Sequence, residues 1–355
     1  MYRRGIVHIM TARPQIPAPP VRFVGTHWLK RPYRQLALLI SLVVLPILAT
    51  FIAVCFLQID PLGLVWGFHG GYPEWSPDGK RIVFRCDQED VNDGSVCVRG
   101  ADRDERRVIR PWGGFYSGIR SVWSPDGRKI LSSGFGVRLM NPDGTEEMTL
   151  DESGHSAVWS PDGGRIAYNL GGSIFVMNAD GREKRRITTG NDPRWSPDGK
   201  WLLFGDGPSG DEYPIQERYC LYVVAADARD RMPRRNLGHG YDGAWSPDGQ
   251  RVAFVLSGDE DSSIWVMDAA GSNRKRLTTG AIGADPRWSP LGDSLVYVRD
   301  GYDVCLLYPD GTTQFVDCGQ DPTFSPDGKR IAFASEDGTG PSRIRIVDLN
   351  GYRAR

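Results

Sequence analysis

The thirteen residues DPRWSPDGKWLLF, from Asp192 to Phe204, constrain this chain more than any other feature, because near copies of them occur seven times. The copies begin at Tyr72, Arg120, Ser156, Asp192, Asp242, Asp285 and Asp321, at intervals of 36 to 50 residues. Units of that length cannot bury their own apolar faces and are stable only against neighbours, so the period implies a solenoid, a propeller or an array.

Each copy opens with a short run ending in an aromatic residue, turns through Ser-Pro-Asp-Gly, and continues as an alternating strand such as KRIVF or QRVAF. Proline presets the first turn dihedral, aspartate bonds back to the backbone and glycine accepts the left-handed position, which together describe a tight hairpin. The aspartate is therefore read as a turn former, and the sixth copy replaces it with Leu291 while keeping Gly292. A third strand (SIFVMNADG, SIWVMDAAG) and a fourth (KRRITTG, RKRLTTG) follow. Four antiparallel strands per repeat make a propeller blade. The expected fold is all-β, a seven-bladed β-propeller of four-stranded antiparallel blades over residues 62–351, preceded by one transmembrane helix. The repeated aromatic, Trp75, Trp123, Trp159, Trp195, Trp245, Trp288 and Phe324, is read as packing between blades. The seventh copy runs out after its third strand, and residues 62–66 (LGLVW) are expected to close blade seven as its outer strand, removing an open edge.

Residues 36–57 form an uncharged apolar run of 22 residues. As a helix it reaches roughly 33 Å, enough to cross a bilayer core. It exceeds the apolar stretch of a cleaved signal sequence, so it reads as an uncleaved signal anchor. Seven Lys/Arg precede it, which places residues 1–35, a basic and Pro-rich tail expected to be disordered, in the cytoplasm and the propeller outside the cell membrane. Residues 58–61 are a short linker. Beyond residue 60 the chain holds 36 basic and 43 acidic residues, the opposite lean from a general nucleic-acid binder. An oxidising exterior suits disulfides, and two are expected across hairpins, Cys86 with Cys97 and Cys305 with Cys318. Cys220 has no evident mate, and no zinc-ligand spacing of the CxxC kind occurs.

The phrase DPxWSPDGKxIAF followed by IxVMDADGxxxxRLT is similar to the WD40-like repeat of the TolB-type propeller family, over residues 72–351. The resemblance implies an extracytoplasmic bacterial propeller that binds a protein or peptide ligand at one face of its channel. Seven motifs in place of six, and a membrane segment in place of an α/β domain, distinguish the chain from TolB itself.

In such a meander the SPDG turns share one face, and a closing strand that starts at the membrane turns that face toward the lipid. The basic runs 181–186, 230–236 and 273–276 fall there. The opposite face collects the acidic runs 87–93, 205–212, 257–263 and 335–338 and, at the entries to inner strands, Asp192, Asp242, Asp285 and Asp321. These four aspartates are the candidate ligand-binding residues of the channel mouth, on an acidic face suited to a cationic partner. The function expected is a membrane-anchored scaffold for a protein, peptide or glycan, with no cofactor required and no nucleic acid. The alternative rests on His69, His155 and His239, which stand shortly before the inner strands of blades one, three and five. Imidazoles beside carboxylates can hold a divalent metal. Some seven-bladed propellers with similar repeats are metal-dependent pectic-oligosaccharide lyases, so the resemblance carries a metal-dependent carbohydrate-active enzyme as the second expectation. No GxSxG elbow or P-loop occurs.

Overall fold

The computed structural model describes residues 71–352, apart from 89–90, 104–105, 111–118, 135, 208–218, 229–232, 258–261, 280–283 and 336–342. The expected tail, membrane segment, linker, closing strand at 62–66 and His69 all lie outside the described residues.

Seven antiparallel sheets follow one another along the chain, each a meander whose strands pair in sequence order. The inner strands are Gly71–Trp75, Arg120–Trp123, His155–Trp159, Asn191–Trp195, Tyr241–Trp245, Ala284–Trp288 and Gln320–Phe324. Each contacts the inner strands of the blades before and after it, and the last packs on the first, which closes the ring of a seven-bladed β-propeller. Six blades have four strands and the seventh has three among the described residues, ending on Arg343–Asp348.

The Ser-Pro-Asp-Gly phrase builds one turn six times over. In the first copy Ser76 Oγ donates to Asp78 Oδ1 (2.5 Å), Asp78 Oδ1 accepts the Lys80 N–H (3.0 Å), and Ser76 Oγ accepts the Arg81 N–H (2.9 Å). Asp126, Asp162, Asp198, Asp248 and Asp327 repeat the serine contact. These hydrogen bonds to the charged form hold all six carboxyls below the usual carboxylate range. The sixth copy, with Leu291, keeps the turn through its own serine, Ser289 Oγ accepting the Leu291 N–H.

The core lies in the seams between blades. In one seam Ala167, Ile174 and Val176 of blade three pack on Trp195, Leu202 and Phe204 of blade four. The repeated tryptophan adds a polar fastener there. The indole N–H of Trp75, Trp123, Trp195 and Trp288 donates to a carbonyl of the preceding blade, that of Thr323, Glu74, Val158 and Ala244 respectively, at 3.2–3.3 Å. Over the same four rings the preceding blade lays an arginine, Arg330, Arg81, Arg165 and Arg251, at 4.5–4.8 Å from the ring centre. Three of these arginines also donate to the glycine carbonyl of the neighbouring turn, Gly79, Gly199 or Gly292. Where the arginine position holds Lys129 or Trp201, the next tryptophan, Trp159 or Trp245, has no acceptor for its indole N–H among the described residues.

A disulfide joins Cys86 to Cys97, whose Cα atoms are 5.9 Å apart. The second expected bridge is corrected: Cys305 and Cys318 are free thiols. Cys305 pairs across the ladder with Phe315 and Cys318 with Asp303, and a bulge falls between those pairs. Cys305 is buried in the seam with blade five, whereas Cys318 is exposed.

Candidate functional site

The inner strands carry one backbone irregularity that shapes the channel mouth. Three residues before the aromatic, Tyr72, Ser156, Asp192, Asp242, Asp285 and Asp321 adopt φ of 47–52°, and the ladder to the second strand slips there by a bulge. Aspartate tolerates the left-handed region better than most side chains, which gives four of the blades a conformational reason for the residue. Blade two lacks the bulge, and Arg120 pairs regularly with Ser133.

These residues also tie adjacent blades together. Asp321 Oδ2 accepts the Tyr72 N–H (3.2 Å), Asp242 Oδ2 accepts the Asp285 N–H (3.4 Å), and buried Asn169 Oδ1 accepts the Asp192 N–H (2.9 Å).

Inside this rim, charged side chains cross the axis. Arg287 of blade six donates from Nη1 to Glu74 Oε1 of blade one (2.6 Å) and from Nη2 to Asp285 Oδ2 (3.2 Å). Arg120 of blade two reaches the same Asp285 Oδ2 at 3.7 Å, and Arg194 of blade four reaches Oδ1 at 3.7 Å. The Arg120 guanidinium also lies over the Tyr72 ring, 5.2 Å from its centre. Three arginines from blades two, four and six thus converge on one carboxylate.

Their charges sort the carboxyls of the mouth. Burial works to raise the pKa of Asp285, but Arg287, Arg194 and Arg120 overcome it and hold the group well below the carboxylate range. Burial lowers the pKa of Arg194, and the positive charge of Arg120 adds to that. Asp242, desolvated and beside the Asp285 carboxylate, is pushed up to about 6. Asp321 is raised as well, by burial first.

All four expected aspartates therefore ring the mouth, but three have partners within the fold and the face is not simply acidic. Sequence reasoning missed Glu74, Arg120, Arg194 and Arg287. The signal was present: the residue before the aromatic is Val122, Val158, Ala244 or Thr323 in four copies and charged in the other three. The histidines do not form a shared site among the described residues. His155 opens the inner strand of blade three beside Ser156 Oγ, while His239 ends the outer strand of blade four, its Nδ1 3.5 Å from Cys220 Sγ. No group of three or more His, Cys, Asp or Glu side chains suited to a metal occurs among the described residues. On the turn face, several residues of the basic runs bind the next blade: Arg185 donates to the Ala226 carbonyl, Arg235 to Ala269 and Lys275 to Pro309.

No family model matches the sequence, and no curated protein matches it either. Solved structures do resemble the fold. A TolB-like protein from Agrobacterium tumefaciens superposes with a TM-score of 0.50 at 23% identity, over 69% of this chain and 94% of that one. Its fold is that of the TolB-type propellers. An oligogalacturonate lyase from Vibrio parahaemolyticus gives a TM-score of 0.61 at 14% identity, over 80% of this chain and 90% of the lyase. An acylaminoacyl peptidase from Pyrococcus horikoshii gives 0.58 at 13%, over 79% of this chain but 51% of the peptidase. At these identities the likeness shows the fold and nothing finer.

Proposed function

We propose that this propeller is a binding scaffold, held at the outer face of a membrane by residues 36–57, that receives a protein or peptide ligand at the channel mouth on the face opposite the SPDG turns. The observation that carries this reading is the cross-channel cluster of Arg120, Arg194, Arg287, Asp285 and Glu74. It ties four blades together through their inner strands and concentrates charge there. Rigid rings with polar groups at a concave mouth suit recognition, because little conformational entropy is lost on binding. The TolB-like neighbour supports the same reading at the level of fold.

The test is a photocrosslinking amino acid at Ser156, a position whose backbone conformation accepts an aromatic residue in blade one, Tyr72. Crosslinking in intact cells is expected to capture a discrete partner from Ser156 and none from the same probe at Lys200 on the turn face. Equal capture from both positions, or from neither, rejects the mouth as the binding face. A chain that remains in the soluble fraction after cell lysis rejects the anchor.

The lyase neighbour gives the enzyme reading its support, since its fold covers most of this chain. That reading predicts near-stoichiometric manganese, iron or zinc in protein purified without chelator, lost in His155→Ala.

A further inference from the structure

Hydrogen-bonding capacity at the mouth is unevenly used. On the acceptor side, Asp321 and Asp242 take backbone N–H groups of the next blade, Asp285 takes Arg287, and Glu74 takes Arg287. On the donor side, the guanidinium groups of Arg120 and Arg194 make no hydrogen bond with any described residue. Their approaches to Asp285 are ion contacts of 3.7 Å, beyond hydrogen-bond length, and a guanidinium carries five N–H donors. Their side chains retain 24% and 34% of their exposure. The two cations repel one another and share a single carboxylate whose hydrogen bonds go to a third arginine. An oxyanion placed between them would supply the missing acceptors and relieve that repulsion, and planar paired donors match a carboxylate bidentately.

We infer that Arg120 and Arg194 form a seat for a carboxylate group of the ligand, with the Asp285–Arg287 pair as its floor. The inference rests on the scaffold reading and reverses the polarity the sequence suggested: the ligand presents an acidic group, such as an aspartate, a glutamate or a chain terminus, to donors that the fold leaves unused.

Acetate is the probe. The full-length chain in a neutral detergent, labelled with ¹⁵N at arginine, is titrated with sodium acetate at constant ionic strength, and the arginine Nε–Hε resonances are followed. The Arg120 and Arg194 signals are expected to move saturably, with affinity at least tenfold weaker in Arg194→Gln and in Arg120→Gln. Arg194→Lys keeps the charge beside Asp285 and guards against a folding defect; it is expected to lose at least fivefold, because a lysine cannot offer the paired geometry. Absence of saturation, saturation unchanged in these variants, or saturation by inorganic phosphate but not acetate overturns the seat. A partner still captured from Ser156 when acetate fails to saturate would leave the scaffold reading standing and remove only the carboxylate assignment.

Discussion

Arg287 and Glu74, which are 213 residues apart in sequence, meet at 2.6 Å from blade six to blade one, past the intervening blade seven. Both side chains are mostly shielded, at 16% and 24% exposure. Removing one partner of a shielded pair leaves the other charge uncompensated, whereas exposed pairs contribute little. Glu74→Gln is expected to destabilise the ring by about 1–3 kcal/mol, and Arg287→Met combined with Glu74→Gln by less than the sum of the single changes. Denaturant unfolding of the four proteins of this cycle measures the coupling. Additive losses would show that the contact does not fasten the ring.

The tryptophan seams predict a contrast between two identical substitutions. Trp195→Phe removes an indole N–H that donates to the Val158 carbonyl, while Trp245→Phe removes one with no acceptor among the described residues. A hydrogen bond of this kind is worth about 1 kcal/mol, and deleting an unpaired donor costs nothing on that account. Trp195→Phe is expected to be the more destabilising by about that amount, as read from thermal or urea unfolding. An equal loss at both sites would place the energy in ring packing alone.

Two sets of carboxyls give stability opposite dependences on pH. The six turn aspartates are depressed, so their contribution is present above the ordinary aspartate pKa and is lost as the pH falls through their folded values. Asp242, pushed up to about 6, behaves in reverse: its contribution is complete below the ordinary pKa and is lost as the pH rises through 6. The charges facing it are the Asp285 and Asp192 carboxylates and the Arg194 guanidinium. Asp242→Asn is therefore expected to match the wild-type melting temperature near pH 4 and exceed it at pH 7.5. Asp162→Asn is expected to fall below wild type at pH 7.5 and converge with it in acid. Parallel curves for either variant across that range would refute the assignment.

Thiol chemistry separates the two cysteine pairs. Alkylation of the native chain is expected to modify Cys318 readily and buried Cys305 only after unfolding, while Cys86 and Cys97 react only after reduction. Peptide mass mapping reads all four. A peptide bridged between Cys305 and Cys318 would contradict the ladder register that keeps them apart.

The architecture was legible because it is written into a local phrase: the serine, proline, aspartate and glycine of each copy specify a turn, and the aromatic before them specifies a seam. The mouth was legible only in outline. Asp192, Asp242, Asp285 and Asp321 stood out because they repeat, and part of the reason they repeat is a backbone conformation that aspartate tolerates. Arg194 and Arg287 recur in the same Asp-Pro-Arg-Trp phrase while Glu74 and Arg120 stand alone, and all four reach partners on other blades, so no window of sequence could show that they meet. The second disulfide failed for a related reason, since a single bulge beside Cys305 changes the register that two well-spaced cysteines imply.

The tryptophan–arginine contacts join blade seven to one, one to two, three to four and five to six, and so divide the disc into one trio of blades and two pairs. Each group sends one arginine to the hub: Arg120 from the trio, Arg194 from the first pair, Arg287 from the second. The ion contacts with Asp285 and Glu74 are then tie rods between the groups. The seams two/three, four/five and six/seven lack the tryptophan–arginine contact among the described residues, so the three groups of blades are bridged by charge at the hub where the fastener at the seam is missing.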